Sequence, residues 1–159
     1  MRIIALSDTH SQLIPPEVLK EIKAADLLIH VGDFCDLDVY YGLKKAQEIR
    51  AVYGNMDSLE LRSALPKQAV FECGDVRIGI YHGDGGTPGL LERVKAVFKE
   101  EKLDIIVFGH THTPMNEMID GVLFFNPGSP TDSIRPPYRS YGVLEISGKT
   151  IKSEIVRLK

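Results

Sequence analysis

Side chains able to bind a metal ion recur in this sequence wherever a short apolar run ends. Asp8 and His10 stand in SDTH, Asp33 in HVGDF, Asn55 and Asp57 in YGNMD, His82 in YHGD, and His110 and His112 in GHTH. Four imidazoles (His10, His82, His110, His112), two carboxylates (Asp8, Asp33) and one amide (Asn55) make seven donors. One tetrahedral zinc site needs only about four, so seven suit two ions sharing a bridging carboxylate, about 3.5–4 Å apart. Imidazole and oxygen without thiolate suit Mn²⁺, Ni²⁺, Fe, Zn²⁺ or Co²⁺, with Mn²⁺ the first expectation, rather than calcium or a soft metal. Two such ions polarise a phosphoryl group and lower the pKa of water, which is the chemistry of phosphate-ester hydrolysis. Glycines accompany the donors at Gly32, Gly54, Gly83 and Gly109, where the chain must leave a strand sharply and pass close to a bound group.

For these segments to meet, the elements before them must be strands of one sheet system, whose carboxyl-end loops converge in one crevice. The apolar pattern supplies such strands. Arg2–Ser7, Asp26–Val31, Arg50–Tyr53 and Asp104–Phe108 read as buried strands, and Pro15–Ala24, Val39–Ile49 and Leu90–Glu101 as helices. Gln68–Cys73 with Val76–Tyr81, Met115–Ile119 with Val122–Phe125, and Tyr141–Ile146 with Thr150–Leu158 flank Gly-containing turns and read as hairpins. The Pro-rich stretch Asn126–Pro137 must be a loop. The whole, residues 1–159, is expected to be one α/β domain.

Composition narrows the partners. A net charge of −3 argues against a broad nucleic-acid surface but permits a small phosphate-ester substrate. No run reaches the ~20 apolar residues of a membrane helix, and the chain opens directly into a strand-like run, so a cytoplasmic protein is expected. Cys35 and Cys73 form no CxxC pair and are expected to be reduced and buried. The late hairpins leave a sheet edge that could support a homo-oligomer.

The ordered set Asp8-Thr9-His10, Gly32-Asp33, Gly54-Asn55, His82 and Gly109-His110-Thr111-His112 resembles the calcineurin-like metallophosphoesterase superfamily. The short length and Asn126-Pro127-Gly128-Ser129 are similar to its compact, YfcE-like phosphodiesterase branch. The resemblance implies a four-layer α/β sandwich of two mixed β-sheets flanked by helices. It implies Asp8, His10 and His112 on one metal, Asn55, His82 and His110 on the other, and Asp33 between them. Asp33, Asn55 and His82 are the residues expected to carry catalysis. The chain departs from the pattern at Met56, where many members hold a histidine that assists the leaving group. The alternatives are a non-catalytic protein-interaction scaffold of the same fold, as in the small subunit of the retromer coat, and a narrow phosphomonoesterase or nucleotidase.

Among the remaining polar residues, His30 is read as a core or supporting histidine and Asp36 and Asp38 as helix caps. Asp57 is read as orienting His82 or another ligand, Asp84 as a turn or supporting residue, and Met56 as packing near the site. Phe34 is read as core or pocket lining, Phe124 and Phe125 as core, and Arg135 and Arg139 as loop charges or phosphate contacts.

Overall fold

A computed structural model describes residues 1–159. Strands β1 (Arg2–Leu6), β2 (Leu27–His30) and β3 (Ile49–Ala51) run parallel, and the antiparallel hairpin β9 (Ser140–Ser147) and β10 (Thr150–Arg157) adds to β1, giving the order β10-β9-β1-β2-β3. The second sheet has the order β4-β5-β6-β8-β7. Here β5 (Val76–Tyr81), β6 (Ile105–Val107) and β8 (Val122–Asn126) are parallel, and β4 (Gln68–Cys73) and β7 (Met115–Ile119) pair antiparallel at the edges.

Side-chain alternation along β1 explains the layering. Ile3 and Ala5 face the other sheet, where they meet Ile78, Ile80, Val107 and Phe125; Ile4 and Leu6 face outward onto helices. Helix α1 (Pro16–Ala24) contributes Val18 and Ile22 to that outer layer, α2 (Leu37–Ala46) Tyr40 and Leu43, and α3 (Leu59–Ala64) Leu61. On the far face of the second sheet, α4 (Leu90–Val97) packs Leu90 and Val94 against Tyr81, Ile106, Phe108 and Phe124. Helix, sheet, sheet and helix form the four layers that the resemblance implies. Where β9 crosses the core, a Cβ on Gly142 would run into the Phe125 ring, so the glycine sets the spacing between the sheets. No helix is long and apolar enough to cross a membrane.

Some boundaries differ from expectation. Helix α2 starts at Leu37 because Asp36 caps it, its side chain accepting from the Val39 N–H at 3.3 Å. Helix α4 ends at Val97 because the chain then winds into tighter three-residue turns, Phe98 N–H to Lys95 and Glu101 N–H to Phe98. Helix α3, which apolar periodicity did not indicate, is a short helix capped by Ser58, whose Oγ accepts from Leu61 N–H.

Candidate metal centre

All seven donors lie just past the carboxyl ends of parallel strands: Asp8 and His10 after β1, Asp33 after β2, Asn55 after β3, His82 after β5, His110 and His112 after β6. The loops are tied together by backbone bonds, Asp8 N–H to Gly32, His10 N–H to Asp33 and Gly109 N–H to His82. Five of the seven residues have left-handed backbone: Asp8 at φ 56°, His10 at 47°, Asp33 at 58°, His110 at 72° and His112 at 58°. Each such residue costs about 1–3 kcal/mol and persists only where its surroundings dictate it. A Cβ on Gly54 would collide with the Asp33 carboxylate, so only glycine lets the β3 loop pass this close.

The two carboxylates each use one oxygen to fix themselves and present the other. Asp8 Oδ2 accepts from Ser7 Oγ at 2.5 Å and from His110 N–H at 3.1 Å. Asp8 Oδ1 is buried with no hydrogen-bond partner, 3.3 Å from His112 Nε2 and 3.9 Å from both His10 Nε2 and His82 Nε2. Asp33 Oδ1 accepts from Met56 N–H at 2.8 Å, while Oδ2 lies 3.4 Å from His82 Nε2 and 3.7 Å from His10 Nε2.

The four histidines are arranged the same way. His82 donates its Nδ1–H to the Val31 carbonyl at 2.7 Å, His112 its Nδ1–H to Asp132 Oδ2 at 2.6 Å, and His110 its Nε2–H to the Gly85 carbonyl at 2.7 Å. His10 Nδ1 lies 3.3 Å from Cys35 Sγ. With the outer nitrogen of each ring so occupied, the inner one faces the cluster, and such partners are what fix the tautomer of a ligating histidine. His10 Nε2 and His112 Nε2 are 3.1 Å apart, and Asn55 Oδ1 is 3.1 Å from His82 Nε2 and 3.0 Å from His110 Nδ1. The ligand atoms of Asp8, His10 and His112, and those of Asp8, Asp33 and His82, form two groups within 4.8 Å. An unpartnered buried carboxylate oxygen facing convergent imidazole nitrogens is the donor set a divalent cation requires, so the residues fit the metal.

The electrostatics agree. Burial alone would raise the Asp8 carboxyl, but the charge of His82, the imidazole of His112 close beside it and the bond from Ser7 bring it to about 2. Burial opposes charge on His82, yet Asp8 and Asp33 hold it up at about 9. His112 is raised against its burial by Asp8 and Asp132, and Asp33 is lowered against its burial by His82 and the Met56 amide. A cleft that attracts protons this strongly also attracts cations, which displace them.

The cleft, about 530 Å³, is lined by His10, Asp33, Asn55, His110 and His112 together with Gln12, Met56, Asp132, Ile134 and Arg135. Met56 is 58 % exposed on its rim, not a packing residue. Arg135 lines the same rim, whereas Arg139 bonds the Lys159 carbonyl away from it. Asp57 does not touch His82. Its carboxylate accepts from the backbone N–H groups of Asp33 (3.0 Å), Gly54 (2.7 Å) and Cys35 (2.7 Å), bracing two donor loops against each other. Asp84 pairs with Lys67 at 3.1 Å. His30 is fully buried, stacks on Phe34, accepts from Gly32 N–H at Nδ1 and donates to Thr9 Oγ1 from Nε2; both rings are core. Cys73 is buried, Cys35 half-buried, and both are free thiols.

Asp132 is a contributor to the centre that no sequence pattern marks. It lies in the Pro-rich loop, twenty positions from the histidine it contacts, and no spacing rule connects them. That loop is locked to the centre by Ser129 Oγ, which donates to the Asp8 carbonyl at 2.8 Å, and by Asn126 Nδ2, which donates to the Gly109 carbonyl at 3.1 Å.

Residues 1–149 match the model of the calcineurin-like phosphoesterase superfamily domain. The chain is similar to a probable metallophosphoesterase of Methanocaldococcus jannaschii, MJ0623, at 37% identity, covering 94% of this chain and 78% of that protein. It is also similar to the phosphodiesterase MJ0936 of the same organism, at 28% identity over 80% of this chain and 83% of that one. Among solved structures it resembles wild-type Vps29 of Entamoeba histolytica complexed with Zn²⁺, with a TM-score of 0.79, 25% identity and 99% coverage of both chains.

Proposed function

Because the chain belongs to the calcineurin-like phosphoesterase superfamily, we propose that it hydrolyses phosphate esters, phosphodiesters above all, with two divalent cations. The single observation that carries this reading is the convergence of the donors on one cluster, where His82, His110 and His112 each have the outward ring nitrogen bonded and the inward one turned to the centre, beside an unpartnered Asp8 Oδ1. Asp8, His10 and His112 would hold one ion and Asn55, His82 and His110 the other, with Asp33 Oδ2 facing a histidine of each set. The relative named as a phosphodiesterase favours diesters. When bound, the ions supply Lewis acidity toward a phosphoryl oxygen and lower the pKa of water.

The protein's own contribution is positional. Left-handed residues and backbone ties fix the donors before any ligand arrives, so little reorganisation accompanies reaction. Met56 cannot give a proton to a departing alkoxide, and general acid catalysis is typically worth ~10²–10⁴-fold. Good leaving groups are therefore favoured. Arg135, its side chain 70 % exposed on the rim, offers a planar fork to a phosphate oxygen.

The test is turnover of bis(p-nitrophenyl) phosphate with Mn²⁺ beside a chelated sample and Asp33→Asn. Metal-dependent turnover that falls by at least about 100-fold in the variant is expected. A folded protein silent with Mn²⁺, Ni²⁺, Co²⁺ and Zn²⁺ would instead favour the scaffold reading, which the likeness to Vps29 and the methionine at position 56 both permit.

A further inference from the structure

The segment between β5 and α4, His82-Gly83-Asp84-Gly85-Gly86-Thr87-Pro88-Gly89, carries three glycines with positive φ: Gly83 at 106°, Gly85 at 73° and Gly89 at 75°. A chain so rich in glycine has no strong preference for one path and must be held from outside. Arg93, one turn into α4, holds it. Its Nε donates to the Asp84 carbonyl at 2.9 Å, one terminal nitrogen to Pro88 at 2.9 Å, and the other to Gly86. The three nitrogens of one planar guanidinium thus capture alternate carbonyls of the loop. The carbonyl of Gly85, among them, accepts from His110 Nε2 at 2.7 Å.

We infer that Arg93 is a positioning residue for His110 and so sets the affinity of one ion of the pair. His110 is half-buried, and its ring bonds only the Gly85 carbonyl and Asn55 Oδ1. If Asn55 and His110 share an ion, as the two-ion reading on which this inference rests requires, the Gly85 carbonyl alone fixes the ring and its tautomer. That carbonyl stays in place because Arg93 pins its neighbours on both sides. Gly83 belongs to the same device, since a Cβ there would press on Leu90 and His110. A further tie on the loop, Lys67 to Asp84, is an exposed ion pair worth little.

The measurement is calorimetric titration of the chelator-stripped protein with Mn²⁺, for wild type, Arg93→Ala and Arg93→Lys. Wild type is expected to bind two ions. Arg93→Ala is expected to keep one binding event unchanged and to weaken the other by about tenfold or more, the range for losing a ligand's supporting partner. Arg93→Lys is expected to behave alike, because one ammonium cannot span three carbonyls, and added methylguanidinium should restore affinity to Arg93→Ala. Should the alanine variant fail to fold, as judged by circular dichroism, the lysine variant carries the test. A purely structural arginine would lower thermal stability and leave both affinities as they were; that result overturns the inference while wild type still binds two ions. A wild type that binds one ion overturns the two-ion reading and this inference with it.

Discussion

His112 can aim Nε2 at the cluster only while its Nδ1–H has an acceptor, and Asp132 Oδ2 is that acceptor at 2.6 Å. The other Asp132 oxygen accepts from the N–H groups of Ile134 and Arg135 at 2.8 and 3.3 Å, so the two functions are separable. In Asp132→Asn the oxygen can continue to hold the loop. The amide nitrogen then meets another donor and drives the histidine proton to the inward nitrogen. Metal affinity is expected to drop about 10–100-fold with the thermal stability of the stripped protein almost unchanged; equal affinity in a calorimetric titration would show that Asp132 does not set the tautomer. His30 makes a different prediction, about pH. Burial lowers its pKa from 6.5 to about 3, against the raising influence of Asp8. The unfolded chain therefore binds the extra proton first, so this stability is complete above pH 6.5 and is lost as pH falls toward 3. The slope is about 1.4 kcal/mol per pH unit. The raised histidines, His82 and His112, lose their contribution mainly above pH 6.5, so a comparison with a His30 variant isolates His30 below it. Between pH 6.5 and 5, urea unfolding of the stripped protein should lose about 1.5 kcal/mol more than that of His30→Gln, which keeps a donor and an acceptor.

At the scale of elements, the donors are placed by loops that brace one another. Asp57 is 4 % exposed, and burial raises its pKa although three backbone amides bond it. Asp57→Ala would strand those N–H groups at about 1–3 kcal/mol each. A loss of at least about 3 kcal/mol in urea unfolding is expected, with Asp57→Asn milder because one acceptor remains; a loss below about 1 kcal/mol would mean the loops hold without it. The strands and hairpins were legible because Arg2–Leu6, Leu27–His30 and Val76–Tyr81 are apolar runs that end in turn residues. The donor positions were legible because each follows such a run. Helix α3 was not, since Leu59–Ala64 is too short to display a 3.6-residue period. Nor was the work of Asp132 or Arg93, which bond a residue or carbonyls that no local pattern marks.

Across the whole molecule, two sheets packed face to face bring residues as far apart as Asp8 and His112 into one cluster that is costly to maintain without a cation. Five left-handed donor residues, a buried carboxylate oxygen with no partner and two inward imidazole nitrogens 3.1 Å apart all lie there. A cation that binds only the folded state stabilises it by RT ln(1 + [L]/Kd), about 4 kcal/mol at a thousandfold excess over Kd. For a chain of this size that is a rise in Tm of about 8–16 °C. The rise has a pH signature, because His82, held up at about 9 by Asp8 and Asp33, must release its proton to take a metal. Scanning calorimetry with and without Mn²⁺ should show the largest shift near pH 9 and a shrinking one toward pH 6, and Asp33→Asn should abolish most of it. A shift independent of pH, or one equal in Asp33→Asn, would mean that Mn²⁺ binds elsewhere on the protein and that the strained cluster serves another purpose.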